Sequence, residues 1–336
     1  MHHHAIVIRR IALAAFLLCL GVVILGAYVR LSDAGLGCPD WPGCYGHLSP
    51  LGAASDAHGA FNGGKAWREM LHRYAAGTLG CLIVLIAALG ARWRREQLVS
   101  MKLQLALPAV LVIQAALGMW TVTWQLRPLI VSLHLLFGFT TLSLLWWLVL
   151  RLYARQAPPP DDLRGRRRLA RQLALAGLIV LCLQIALGGW TSSNYAAIAC
   201  PDFPTCQGSW WPQADFHSAY RLLGAAGINY DGGVLALAGR TAIHLSHRLG
   251  ALAVTLALLA AGLAARSIRG DRAAAGAGLS VLALLALQLT IGISMVLLGF
   301  PLWLATAHNA GAALLLLATL GLNRSLRPAS TTISFA

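Results

Sequence analysis

Two short segments bracket a pair of cysteines in the same way. They are Gly37-Cys38-Pro39-Asp40-Trp41-Pro42-Gly43-Cys44 and, 162 positions later, Ala199-Cys200-Pro201-Asp202-Phe203-Pro204-Thr205-Cys206. A loop with two prolines between its cysteines turns tightly enough to bring their Cα atoms within disulfide range, about 4.4–6.8 Å. A structural staple and a redox-active pair both fit this pattern. Zinc fits poorly, because neither loop carries four ligands at metal spacing. Cys19, Cys81 and Cys182 fall inside apolar runs and read as small core residues.

The 11 histidines divide by surroundings. His2, His3 and His4 are terminal and read as having no catalytic role, while His47, His58 and His217 stand in polar loops. His72, His134, His244, His247 and His308 lie on apolar, helix-length runs or at their outer ends, where an ionisable side chain is costly and points to function. His72-Arg73 answers to His247-Arg248 and His134 to His308, at offsets of 175 and 174. One such histidine can be a packing residue. Recurrence in both halves favours pairs of imidazoles facing each other across a helical bundle, suited to the axial positions of a haem iron. Ala75, Ala76, Gly77 and Gly80 after His72, and Gly250, Ala251 and Ala253 after His247, would let a helix approach a macrocycle or another helix. Arg73 and Arg248 could pair with propionates.

One position distinguishes the halves chemically: aligning the His-Arg pairs sets Glu69 opposite His244. Glu69 precedes His72 by one helical turn, so the two share a face. A carboxylate there can serve acid or cation-stabilising work; the plainer reading is a helix-start Glu favoured by the dipole. The reaction is accordingly expected in the first half, with cofactor storage or electron relay in the second. Gln114 with Gly118, Gln184 with Gly188 and Gln288 with Gly292 repeat at one spacing and read as interhelical packing and hydrogen bonding.

The elements that must position these residues follow from composition. The chain is 58% hydrophobic and 11% charged over 336 residues, with mean hydropathy +0.69, which no water-soluble domain requires. Eight runs are long enough to cross a bilayer as helices, near 11–29, 70–91, 103–124, 129–150, 172–191, 241–265, 276–298 and 302–322. The first is too long for a removed signal peptide and lacks a small-residue cleavage site. The net charge of +15 follows the membrane and is no nucleic-acid signature. Most of the 26 basic residues fall in the N-terminus, the 92–102, 151–171 and 266–272 loops and the tail, which places both termini in the cytoplasm. The expected fold is all-α, as two pseudo-symmetric four-helix bundles in parallel repeat. Residues 1–150 and 172–336 form the halves, joined by an Arg/Pro-rich linker at 151–171.

The ordered set of Arg30-Leu31-Ser32 with Gly35-Leu36, the Cys38/Cys44 loop, Glu69-x2-His72-Arg73, His134, the Cys200/Cys206 loop, Asn229-Tyr230-Asp231-Gly232, His244-x2-His247-Arg248 and His308-Asn309 resembles the haem A synthase family. The resemblance runs through nearly the whole chain. It implies eight transmembrane helices in a bacterial inner membrane and oxidation of the C8 methyl group of haem O to a formyl group by successive hydroxylations, giving haem A. It implies that His72 and His134 bind the substrate haem, that Glu69 is the catalytic carboxylate, and that His247 and His308 ligate a haem B cofactor. Cys38–Cys44 and Cys200–Cys206 would be extracytoplasmic disulfides. A haem O synthase would supply substrate and an external donor the electrons, since no Gly-x-Gly-x-x-Gly opens a helix after a strand. Lipid is the surrounding partner, nucleic acid is not expected, and a homo-oligomer is compatible. The residues alone leave open a di-haem b-type electron carrier, which has no need of Glu69, a periplasmic thiol oxidase, which needs reactive cysteines, and a transporter.

Overall fold

The computed structural model describes residues 2–52, 62–96, 98–153, 163–222, 224 and 227–327. His58 and residues 154–162 of the 151–171 linker, including Pro158–Pro160, lie outside the described residues. Eight long helices carry the chain: α1 His2–Leu31, α2 Gly63–Arg92, α3 Met101–Thr123, α4 Pro128–Tyr153, α5 Arg164–Ser193, α6 Leu237–Arg266, α7 Arg272–Leu297 and α8 Leu302–Ser325. All eight are long and apolar enough to cross a membrane, and no β-strand occurs among the described residues. Their outward faces are apolar too: Leu105, Val112, Leu183 and Leu256 are each 62–69% exposed. Water would penalise such surfaces; lipid does not.

Several helices outrun their apolar stretches. A 30-residue helix such as α2 rises about 45 Å, against about 30 Å of hydrocarbon. α2 begins at Gly63, where the Asn62 side chain caps it by accepting from the Lys65 N–H at 3.1 Å. The expected start near residue 70 is therefore about two turns late, and Glu69 and His72 stand inside the helix. α5 likewise starts at Arg164, before the expected 172. Short turns close the α3–α4 and α7–α8 hairpins through positive φ at Gln125, Leu126, Gly299 and Phe300.

In the first half α1 packs against α2 and α4, and α3 against both; α5 to α8 repeat that ring. The halves meet where α1 touches α8 and where α4 touches α5 and α8. A single apolar cluster runs through all eight helices, with Ile83, Leu142, Leu145, Leu258 and Leu315 among its most buried members. Polar contacts stitch the junction: Ser132 Oγ lies 3.0 Å from Ser193 Oγ, and Trp146 Nε1 donates to the Leu317 carbonyl at 2.9 Å.

One end of the molecule gathers the N-terminus, the even-to-odd connections and the tail. His4 stacks on Trp93 with ring centres 4.1 Å apart and bonds Glu96 at 2.6 Å. Arg167 pairs with Asp271, the N-cap of α7, and donates to the Ser325 carbonyl at 2.7 Å. The opposite end carries the two cysteine loops.

Candidate functional site

Four of the five histidines on even-numbered helices each press against a glycine of the helix before. A Cβ added at Gly26 of α1 would lie 2.8 Å from His72 Cε1. At Gly118 of α3 it would lie 3.1 Å from His134 Cε1, at Gly188 of α5 3.3 Å from His247 Cε1, and at Gly292 of α7 2.9 Å from His308 Cε1. These glycines are floors for imidazoles: a Cβ would force the ring to move at Gly26 and Gly292 and would crowd it at Gly118 and Gly188. Their recurrence was visible in the sequence, but their partners were not.

The rings come together in pairs. His247 and His308 have ring centres 6.5 Å apart, at 73° to each other. Two imidazoles bound through nitrogen to one metal atom, at about 2 Å each, bring their ring centres to about 6 Å apart, so the spacing fits a metal between them. His72 and His134 lie close enough to interact electrostatically. Nδ1 is buried without a partner among the described residues in three of the paired histidines, His72, His134 and His308, and in His244 as well. No cluster of three or more metal-donor side chains occurs among the described residues. Two-donor sites suit a metal that brings its own equatorial ligands, as haem iron does.

The two cysteine loops sit at the outer end of these pairs. Cys38 and Cys44 are disulfide-bonded with Cα atoms 4.7 Å apart, and Cys200 and Cys206 with 4.6 Å. All four cysteines are at most 1% exposed, a poor setting for thiol exchange. Each loop is shaped by an aspartate. Asp40 accepts from the N–H groups of Tyr45 (2.6 Å) and Gly46 (2.8 Å), and Asp202 from those of Gln207 (2.6 Å) and Gly208 (3.0 Å). The Thr205 hydroxyl, followed by these N–H donors, holds the Asp202 carboxyl below its ordinary value.

Arg73 and Arg248 both donate into the loops. Arg73 Nη1 donates to the carbonyls of Asp40 (2.8 Å) and Gly43 (2.5 Å), and its Nη2 pairs with Glu69. Arg248 donates to the carbonyls of Thr205 (2.7 Å), Asp202 (2.7 Å) and Cys200 (3.2 Å). Guanidinium forks that span several loop carbonyls have few N–H groups left for a pairing with propionates. Glu69 is 4% exposed; beside the pair with Arg73, its Oε2 accepts the Cys38 N–H at 2.8 Å. His244 occupies the corresponding place in the second half, where its Nε2 lies 3.3 Å from Arg248 Nε. Gly37 makes the close approach possible, since a Cβ there would fall 2.6 Å from the Lys65 carbonyl.

The remaining motif residues bind the outer face together. Arg30 at the end of α1 donates to the Tyr195 hydroxyl at 2.8 Å, which in turn donates to Asp231 at 2.7 Å. His217 lies in a one-turn helix, Phe216–Ala219, beside Arg221. The His47 carbonyl accepts the Cys44 N–H at 2.7 Å, closing the first loop.

The sequence pattern of one family, COX15-CtaA, described as cytochrome oxidase assembly protein, matches residues 9–320, which include all four paired histidines and both loops. The chain belongs to this family. It is 43% identical over 321 residues to a protein named Heme A synthase from Shewanella oneidensis, covering 93% of this chain and 94% of that one. It is 28% identical over 330 residues to the Heme A synthase of Rhizorhabdus wittichii, covering 90% and 89%. To that of Halalkalibacterium halodurans it is 26% identical over 308 residues, covering 89% and 91%. The family match over residues 9–320 reaches into every long helix described above.

Proposed function

We propose that this chain is a haem A synthase that oxidises the C8 methyl group of haem O to a formyl group, giving haem A for cytochrome c oxidase. The observation that carries the reading is the arrangement of half-buried imidazoles as two pairs on glycine floors, with a carboxylate beside only one of them. His72 and His134 would hold the substrate haem by its iron. Glu69, one turn before His72, would pass a proton or stabilise positive charge developing at the reacting carbon. Two successive hydroxylations of the methyl, each consuming one dioxygen with two electrons and two protons from outside the chain and releasing one water, would give a gem-diol, which loses water to the aldehyde. His247 and His308 would hold haem B, which supplies one-electron transfer when bound. Arg73, Arg248 and the two disulfide loops close the outer ends of the pairs and exclude water.

The same reading takes residues 1–150 and 172–336 as pseudo-symmetric halves with the 151–171 linker between them, in a bacterial inner membrane with both termini cytoplasmic. Basic residues on the gathered N-terminal and tail end support that orientation. A haem O synthase would deliver substrate, an external donor the electrons, and a homo-oligomer is compatible. Pigment analysis of the purified protein tests the function. Haem O or haem A beside haem B is expected; haem B alone would make it an electron-transfer cytochrome, and no haem at all would remove both readings.

A further inference from the structure

Three of the four glycine floors follow a glutamine four residues earlier: Gln114 before Gly118, Gln184 before Gly188 and Gln288 before Gly292. α1 alone departs, with Val22 before Gly26. In the second half both glutamines reach across to the opposing histidine. Gln184 Nε2 donates to the His247 carbonyl at 2.9 Å and lies 3.1 Å from the ring Nδ1. Gln288 Nε2 donates to the His308 carbonyl at 3.0 Å and lies 3.3 Å from the ring Nε2, the other ring nitrogen from the one that Gln184 meets on His247. Each amide fills a notch that the opposing helix leaves by having glycine three residues after the histidine: a Cβ on Gly250 would overlap Gln184 Oε1, and one on Gly311 would overlap Gln288 Oε1. The first half lacks these notches, with Ala75 and Phe137 at those positions. There the Gln114 amide nitrogen lies beside Gly138, and Val22 packs into the apolar core with Leu79.

An amide anchored on the backbone of the same residue whose ring it touches restricts that ring's rotation. A metal ligand fixed before binding loses less freedom on binding, so its complex lasts longer. A site that takes substrate and releases product needs the opposite. We infer that Gln184 and Gln288 are positioning residues that orient the second-half imidazoles and make that haem the retained one. Val22, in the place of a fourth glutamine, leaves the first-half pair able to exchange its haem. This rests on the proposal that the halves hold cofactor and substrate respectively.

The test uses the full-length protein in detergent, loaded with haem B, with transfer to excess apomyoglobin and the low-spin electron paramagnetic resonance spectrum as readouts. His247→Ala and His308→Ala first identify the slowly released haem; if it survives both, the assignment of the halves fails and this inference with it. Given their loss of that haem, Gln184→Leu and Gln288→Leu should speed its release by about 10–100-fold and shift its g values. Gly250→Ala and Gly311→Ala should do the same by displacing the amides, and they keep the helices because alanine favours them. Val22→Gln should slow release of the fast haem. Unchanged rates and spectra in all four glutamine and glycine variants, or faster release of the first-half haem in Val22→Gln, would overturn the inference.

Discussion

Glu69 carries two roles in one carboxylate: it stands one turn from His72, and it holds the Cys38 N–H and Arg73. Glu69→Gln keeps the acceptor for Cys38 and removes the charge. The expected variant folds, retains the haem of His247 and His308, and accumulates haem O or its hydroxylated product, as read by chromatography of extracted haems. Normal haem A would leave Glu69 only its part in holding the loop. His244, its counterpart, meets Arg248 without a carboxylate, so His244→Ala should alter loop stability more than haem content. Asp202 gives a pH expectation. Its folded carboxyl is held below its ordinary value of 3.8, so its contribution is complete above that value and is lost as pH falls through the lower, folded one. Resistance of the 200–206 loop to proteolysis should be flat from pH 7 to pH 5 and should fall only below 3.8. A decline already at pH 5–6 would assign loop stability to another group.

The helix is the scale at which the glycine floors act. Gly26→Ala and Gly118→Ala should weaken haem binding at the first pair, and Gly188→Ala and Gly292→Ala at the second, each by about tenfold or more, because displacing a ligand by even a fraction of an ångström forfeits its bond. Spectrophotometric titration of each variant with haem would show it, and equal affinity across the set would mean that the rings have room to spare. Arg248→Ala removes charge-assisted bonds to three loop carbonyls and should cost the loop about 1.5–3 kcal/mol, seen as faster clipping by a protease near Asp202. The helices themselves were legible in the sequence because lipid-facing helices are apolar on every side, so length alone betrays them. The start of α2 at Gly63 was not, because its first turns project beyond the hydrocarbon, carry Lys65 and Arg68, and are announced only by the Asn62 cap. The cysteine pairs were legible from local spacing. The destinations of Arg73 and Arg248 were not, since backbone carbonyls reached across 30–48 residues leave no mark on residue type. Gln184 and Gln288 read as packing residues for the same reason: their target appears only once two helices are in register.

Across the whole molecule, the halves share one apolar core and a few polar stitches. Trp146→Phe should lower unfolding stability by about 1 kcal/mol through loss of its bond to the Leu317 carbonyl, with both haem sites intact. Thermal scans of the loaded protein would check it, and loss of either haem would show that the junction shapes a pocket. The contact between α1 and α8 has another consequence, for how the protein is made. α1 meets α8 only once that later helix has been made and inserted, and Arg30 likewise waits for Tyr195, 165 residues on. Until then α1 presents a flank built for protein to lipid or to an insertion chaperone. A nascent chain stopped before α8 therefore carries a first half complete in its own four helices, beside a second half with His247 present and His308 still to come. The pairing of His247 with His308 thus waits for α8 to be inserted.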